Sequence, residues 1–166
     1  MSDRPGVTRQ VLELLELHGL HTWTVTWTNA KRAFGICDHA NSTIKLSWPI
    51  ARLNTPDQLH ATVLHEIAHA EAGPAAGHGP AWQRHCRQLG IPPVRCVGPE
   101  VALPPGRWVG TCPACGWQTT RLQLRKSARA GSCPKCDNVH NPAFTLTWTR
   151  NPQFDTDPNH SLTDVD

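Results

Sequence analysis

The chain has 166 residues, 39% of them apolar and 17% charged, which allows one ordinary domain or a small domain plus a metal-stapled module and excludes two large cores. Fifteen Pro and twelve Gly argue against an all-helical bundle, and seven Cys and ten His stand beside no Tyr at all. The net charge of +3 is unevenly spread: −1 over residues 1–81, +8 over 82–150 and −4 over 151–166, so the middle segment suits a polyanion or, equally, a solvated basic surface.

Val11, Leu14, Leu15 and His18 repeat at helical spacing, which predicts a packing helix over 7–18 that stops at Gly19. Residues 22–28 (TWTVTWT) alternate Trp and Val with Thr, as a half-buried strand does. Two further short runs, 33–37 and 43–47, flank the turn-rich Asp38–Ser42 and read as a hairpin. A small, largely antiparallel sheet is expected. Thr55-Pro56-Asp57-Gln58 combines a hydroxyl cap, Pro at the first helical position and Gln at the capping-box position, so a helix should run to about Glu71 and stop at Gly73-Pro74. Leu59, Val63, Ile67 and Ala70 form its packing face. A shorter helix is expected over 80–89. Residues 91–106 hold five Pro and read as a linker or wrapping segment without regular structure of its own, residues 107–150 as short strands around two Cys pairs, and residues 151–166 as a disordered acidic tail.

The capped helix contains His65-Glu66-Ile67-Ala68-His69. Residues four apart differ by about 40° around a helix, so His65 and His69 can bind one metal together with Glu66 beside it. A zinc-bound water with a lowered pKa, relieved of its proton by a carboxylate, is the logic of a metallopeptidase. The third ligand is best sought in His78, nine residues on and across a Gly-Pro break. A metzincin would carry its third His at the position of Ala75 and needs a Met-turn, yet the lone Met is Met1. Glu71 is too close in sequence to return to the same metal.

Gly35-Ile36-Cys37-Asp38, Ile44-Lys45-Leu46-Ser47, Leu64 to Ala70 with the HExxH core, and Gly77-His78-Gly79-Pro80 followed by Trp82 together resemble the SprT-like family, which includes the Spartan metalloproteases. The resemblance covers about residues 7–90. It implies a zincin-like α+β catalytic domain with His65, His69 and His78 on zinc and Glu66 as base. It further implies proteolysis, in Spartan relatives of proteins crosslinked to DNA. Many HExxH peptidases stabilise the oxyanion with Tyr or His; with no Tyr in the chain, His85, which fits a family-like His seven residues after His78, and Arg84 are the candidates, against solvent-facing residues as the plainer reading.

Cys112, Cys115, Cys133 and Cys136 form C-x₂-C-x₁₇-C-x₂-C, two knuckles that predict a structural zinc in a small β ribbon. SprT-like proteins often carry such a ribbon. Arg121, Arg125, Lys126, Arg129 and Lys135, with Trp117 nearby, make single- or double-stranded DNA an expected partner. Cys37, Cys86 and Cys96 lack partner spacing and are not expected to be catalytic thiols; Cys37, in a predicted strand, reads as core packing, and the remaining His as surface or local hydrogen-bonding residues. No apolar run reaches the ~20 residues of a membrane span and no signal-peptide pattern opens the chain, so a soluble, cytoplasmic monomer is expected. The expected organisation is a peptidase domain over 1–90, a linker over 91–106, a four-cysteine ribbon over 107–150 and a tail over 151–166, with one catalytic and one structural zinc acting on a protein substrate. The competing class is a non-enzymatic adaptor that binds DNA or protein and whose HExxH zinc is structural or regulatory.

Overall fold

The computed structural model describes residues 3–95, 100–125 and 130–155. Cys96, Lys126, Arg129, His160 and the tail from 156 onward lie outside the described residues. The chain divides into two compact units, Met1–Leu103 and Pro104–Asp166. Both are built from short helices and strands of a mixed α+β kind, and no described helix is long and apolar enough to cross a membrane.

In the first unit, α1 (Arg4–Leu17) is followed by β1 (Thr24–Thr28), β2 (Gly35–Asp38), β3 (Thr43–Ser47), a short α2 (Trp48–Ala51), α3 (Pro56–Ala72) and α4 (Pro80–Gln88). The strand order is β1-β3-β2, with β2 antiparallel and β1 parallel to β3. The expected hairpin is present, but the sheet is mixed rather than largely antiparallel. Its parallel edge is set by non-local contacts: Trp27 of β1 donates from Nε1 to Thr8 Oγ1 of α1 at 2.7 Å and packs edge-on against Trp48 at 5.0 Å. The hairpin turn is locked by Asp38, whose carboxylate accepts from the Asn41 backbone at 3.3 Å and the Asn41 side chain at 2.9 Å. Lys45 lies 2.7 Å from the same carboxylate.

The α3 start follows its sequence signal. Thr55 Oγ1 accepts from Gln58 N at 3.3 Å and Gln58 Oε1 accepts from Thr55 N at 2.8 Å, a closed capping box. The helix ends at Gly73, whose φ of 85° is costly for any residue with a Cβ. Leu59, Val63 and Ile67 of α3 meet Ile44 and Leu46 of β3, Phe34, and Val11 and Leu15 of α1 in one core. Ile67 is fully buried, so truncating such a side chain to Ala should cost about 2–5 kcal/mol.

Among the described residues, 91–95 and 100–103 wrap the first unit and are not a free linker. Ile91 and Val101 pack against the core, and Asn54 clamps Ala102 through two hydrogen bonds of 2.8 Å, one to its carbonyl and one from its N–H. Gln58 also donates to the Glu100 carbonyl at 3.1 Å. These contacts make the described parts of the segment a return path along the first unit.

The second unit holds β4 (Trp108–Thr111), β5 (Gln118–Arg121), β6 (Thr147–Arg150) and α5 (Pro152–Asp155). Its sheet runs β5-β4-β6 with both pairings antiparallel. Its core is small: Cys112, Cys133 and Leu146, flanked by Trp117, Phe144 and Trp148. The tail expectation fails for its first residues. Asn151 is buried, donating from its backbone to the Arg107 carbonyl at 2.9 Å and from Nδ2 to the Gly106 carbonyl at 2.8 Å. Phe154 is also buried, with the Arg107 guanidinium 5.2 Å above its ring.

Candidate metal centres and active site

Helix α3 carries His65 and His69 one turn apart, so their rings share a face with centroids 5.1 Å apart. The Gly73–Gly79 turn brings His78 to the same point, where its ring centroid lies 4.6 Å from His69 and 5.5 Å from His65. One ring nitrogen from each residue falls within a 4.8 Å cluster. Trp82 of α4, fully buried, backs all three: it stacks on His69 at 5.3 Å and meets His65 and His78 edge-on at 4.9 and 4.6 Å. Gln83 Nε2 donates to the His78 carbonyl at 3.2 Å and steadies the turn.

The donor set fits a small divalent metal. Two imidazole nitrogens on one tetrahedral zinc, each at about 2.05 Å, stand about 3.3 Å apart. Here His69 Nε2 and His78 Nε2 are 3.2 Å apart. Burial pushes the His65 and His69 values down to about 4, helped at each by a neighbouring imidazole, and His78 is lowered in the same direction. At neutral pH all three rings therefore present lone pairs, which metal binding requires.

Glu66 is 6% exposed. Burial raises its value to about 7, against the opposing hydrogen bond donated by the Cys37 backbone N–H. It lines, with His65, His69 and His78, a cavity of about 620 Å³. Gly35, Ile36 and Cys37 of β2, Phe34, and Ile91, Val94 and Val101 of the return segment line it too, along with Arg32, Arg95 and His39. Three imidazoles that could hold one metal face an open space, which would leave coordination positions for water or substrate. Sequence reasoning missed the walls. Cys37, expected in the core, faces this cavity, and burial first and the Glu66 charge second push its thiol up to about 12, which makes it a poor nucleophile. His39, read as a surface residue, is also a wall residue, edge-on to Trp23 at 5.7 Å. Arg95 stands in the prolines' return path, where local sequence carries no signal for it.

His85 is not brought to this cavity. Its Nδ1 lies 2.8 Å from Glu71 Oε2, with His18 Nδ1 3.9 Å from the other oxygen of that carboxylate. Neither His85 nor Arg84 is among the described lining residues, so the oxyanion role expected of them has no support in the geometry.

The second unit gathers Cys112, Cys115, Cys133 and Cys136, their sulfurs all within 4.8 Å of one another. Thiolates on one tetrahedral zinc at about 2.3 Å stand about 3.8 Å apart. The Cys112–Cys136 and Cys115–Cys133 sulfurs are each 3.7 Å apart, far beyond a disulfide's ~2.05 Å. Both knuckles turn alike: Gly116 N donates to the Cys112 carbonyl at 3.0 Å and Asp137 N to the Cys133 carbonyl at 3.2 Å. Backbone N–H groups of Cys115 and Ala114 lower the Cys112 thiol, while the neighbouring Cys115 and Cys112 sulfurs and burial raise that of Cys136, so without a cation the four sulfurs do not all favour the thiolate. Arg125 and Lys135 are exposed, and so is Arg121, whose guanidinium lies 5.7 Å above the Trp148 ring. Trp117 is half-buried against the Cys cluster and serves the ribbon core.

No curated protein matches the chain. A family model described as the SprT-like family matches residues 9–97, which span α1 through α4 and every residue of the three-His centre. On that match, over more than half its length, the chain belongs to the SprT-like family.

Proposed function

We propose that this chain is a zinc-dependent endopeptidase of SprT-like type, with a catalytic zinc held by His65, His69 and His78 and a structural zinc held by the four cysteines. The observation that carries this reading is Glu66: a buried carboxylate next to three convergent imidazoles, poised near neutrality, on the wall of an open cavity. A purely structural metal site has no use for such a group. When bound, zinc supplies Lewis acidity toward a carbonyl and acidifies a water in the open coordination position. Glu66 accepts the proton of the attacking water as its oxygen bonds to the peptide carbon, and returns a proton to the amine as the C–N bond breaks. Strand β2 borders the cavity and, among the described residues, pairs with β3 alone, so an extended substrate has a strand edge to lie against. The ribbon's exposed Arg121, Arg125 and Lys135 favour recruitment to DNA or to DNA-associated protein, through charge that neutralises phosphate.

The decisive experiment is proteolysis by purified protein of known metal content, with and without DNA. Glu66→Gln should lower kcat by about 10²–10⁴-fold with zinc still bound. A variant that cuts as fast as the parent overturns the mechanism. Affinity of the chain for DNA that ignores salt concentration, or no affinity at all, overturns the recruiting role.

A further inference from the structure

Strand β2 crosses α3 at Glu66, and the contact is tighter than any side chain there would allow. A Cβ built on Gly35 would stand 2.6 Å from Glu66 Oε1, 2.8 Å from Cγ and 3.0 Å from Cδ. Carbon atoms in contact normally stand about 3.5–4.0 Å apart. Two residues further along the same strand, the Cys37 backbone N–H donates to the Glu66 carboxylate. The carboxylate is therefore held between a strand that has no side chain at 35 and an amide that fixes its direction at 37. At 6% exposure it has little room to move aside, and moving would give up the amide.

We infer that Gly35 is a positioning residue for Glu66: the missing Cβ lets the β2 backbone lie against the carboxylate and deliver the Cys37 amide to it. The φ of Gly35 is not in the left-handed region, so backbone conformation does not explain a glycine here; space does. The bare strand has a further consequence for the site. Gly35 and Cys37 line the cavity alongside the imidazoles, so one element forms the substrate wall and holds the base. A side chain at 35 would displace Glu66, whose atoms are the three nearest to the added Cβ.

The test is a thermal double-mutant cycle on the full metal-loaded chain: parent, Gly35→Ala, Glu66→Ala and the double variant. Gly35→Ala should lower Tm by about 5 °C or more in the parent, since overpacking a filled contact is destabilising. In the Glu66→Ala background the same change should cost little or even stabilise, because the colliding carboxylate is gone and Ala restricts the unfolded chain more than Gly. Equal losses in both backgrounds overturn the inference. Should Gly35→Ala fail to fold, folding of the double variant supports it and failure of both overturns it. The kinetic arm rests on the peptidase reading above: Gly35→Ala should lose about 10–100-fold in kcat with KM and zinc content unchanged. A folded Gly35→Ala with parental kcat overturns the positioning role. A parent without peptidase activity removes only the kinetic arm, and the thermal cycle still decides whether Gly35 positions the carboxylate.

Discussion

The two metal-ligand clusters differ in what surrounds them. The three histidines sit on a 17-residue helix and an adjoining turn, over a core that includes Val11, Leu46, Val63 and Ile67, and they face a cavity of about 620 Å³. The four cysteines face one another, and their unit's fully buried apolar side chains are little more than the cysteines themselves. A cluster built on a core that exists without it can leave ligand positions open for chemistry. A cluster that is itself the core must close its coordination shell with protein groups. On the proposed reading, the same element type, a few His or Cys at short spacing, would serve reactivity in one unit and folding in the other.

The largest test of this contrast is metal removal. Structural zinc contributes about 10–16 kcal/mol in zinc-finger peptides, more than the apolar contacts of a unit as small as Pro104–Asp166 can replace. A strong chelator, or Cys133→Ser, should collapse the amide NMR dispersion of residues 104–155 and leave the signals of residues 4–95 spread. If both units keep their dispersion after metal loss, the ribbon has a core of its own and the contrast disappears.

Next in size is Trp82. It is fully buried and touches all three imidazoles, so Trp82→Ala should cost the first unit about 3–5 kcal/mol in denaturant unfolding. The same variant should weaken metal binding about 10–100-fold, as loss of support behind ligands does. Trp82→Phe should recover most of the metal affinity. Smaller in stability is His78→Ala: the metal-free Tm should change by no more than about 2 °C, because His78 lies in a turn and not in the core. Bound metal should nevertheless fall from two equivalents per chain to one, and two equivalents in this variant would mean that another side chain completes the centre.

What could be read from sequence follows the range of the interactions involved. The capping box at Thr55 and Gln58, the i, i+4 pair His65 and His69, and the two Cys knuckles are local patterns, and each appears in the structure where its spacing put it. The β2–β3 hairpin is local as well. The parallel seat of β1 is not: it depends on Trp27 finding Thr8 and Trp48, and no alternation of Thr and Trp encodes that choice. Proline content left residues 91–106 open between a linker and a wrapping segment, and what decides for wrapping at 91 and 100–102 is non-local: two apolar anchors and the Asn54 clamp 48 residues away. Acidic composition misled at 151–154, where Asn151 and Phe154 are tied to Gly106 and Arg107. His85 fitted a sequence spacing, yet Glu71, fourteen residues back on α3, holds its ring.

The smallest expected effect concerns Asp38, which joins the hairpin turn without touching either metal cluster. Its hydrogen bond with Lys45, and then those from Asn41, hold its carboxyl down from 3.8 to about 2. Between those values the unfolded chain binds the proton that the folded chain refuses, so this group's contribution is complete above about pH 4 and is lost as the pH falls toward about 2. The pair is partly exposed, Lys45 at 39% and Asp38 at 18%, so its contribution is modest and partly screened by salt. Asp38→Asn should therefore lower stability slightly at neutral pH, and the gap between variant and parent should close as the pH approaches about 2. Because β2 and β3 belong to the unit whose core does not depend on metal, the gap at neutral pH should persist after chelation. Its disappearance on chelation would tie the hairpin to the three-histidine centre and weaken the distinction between a cluster that rests on a core and one that replaces it.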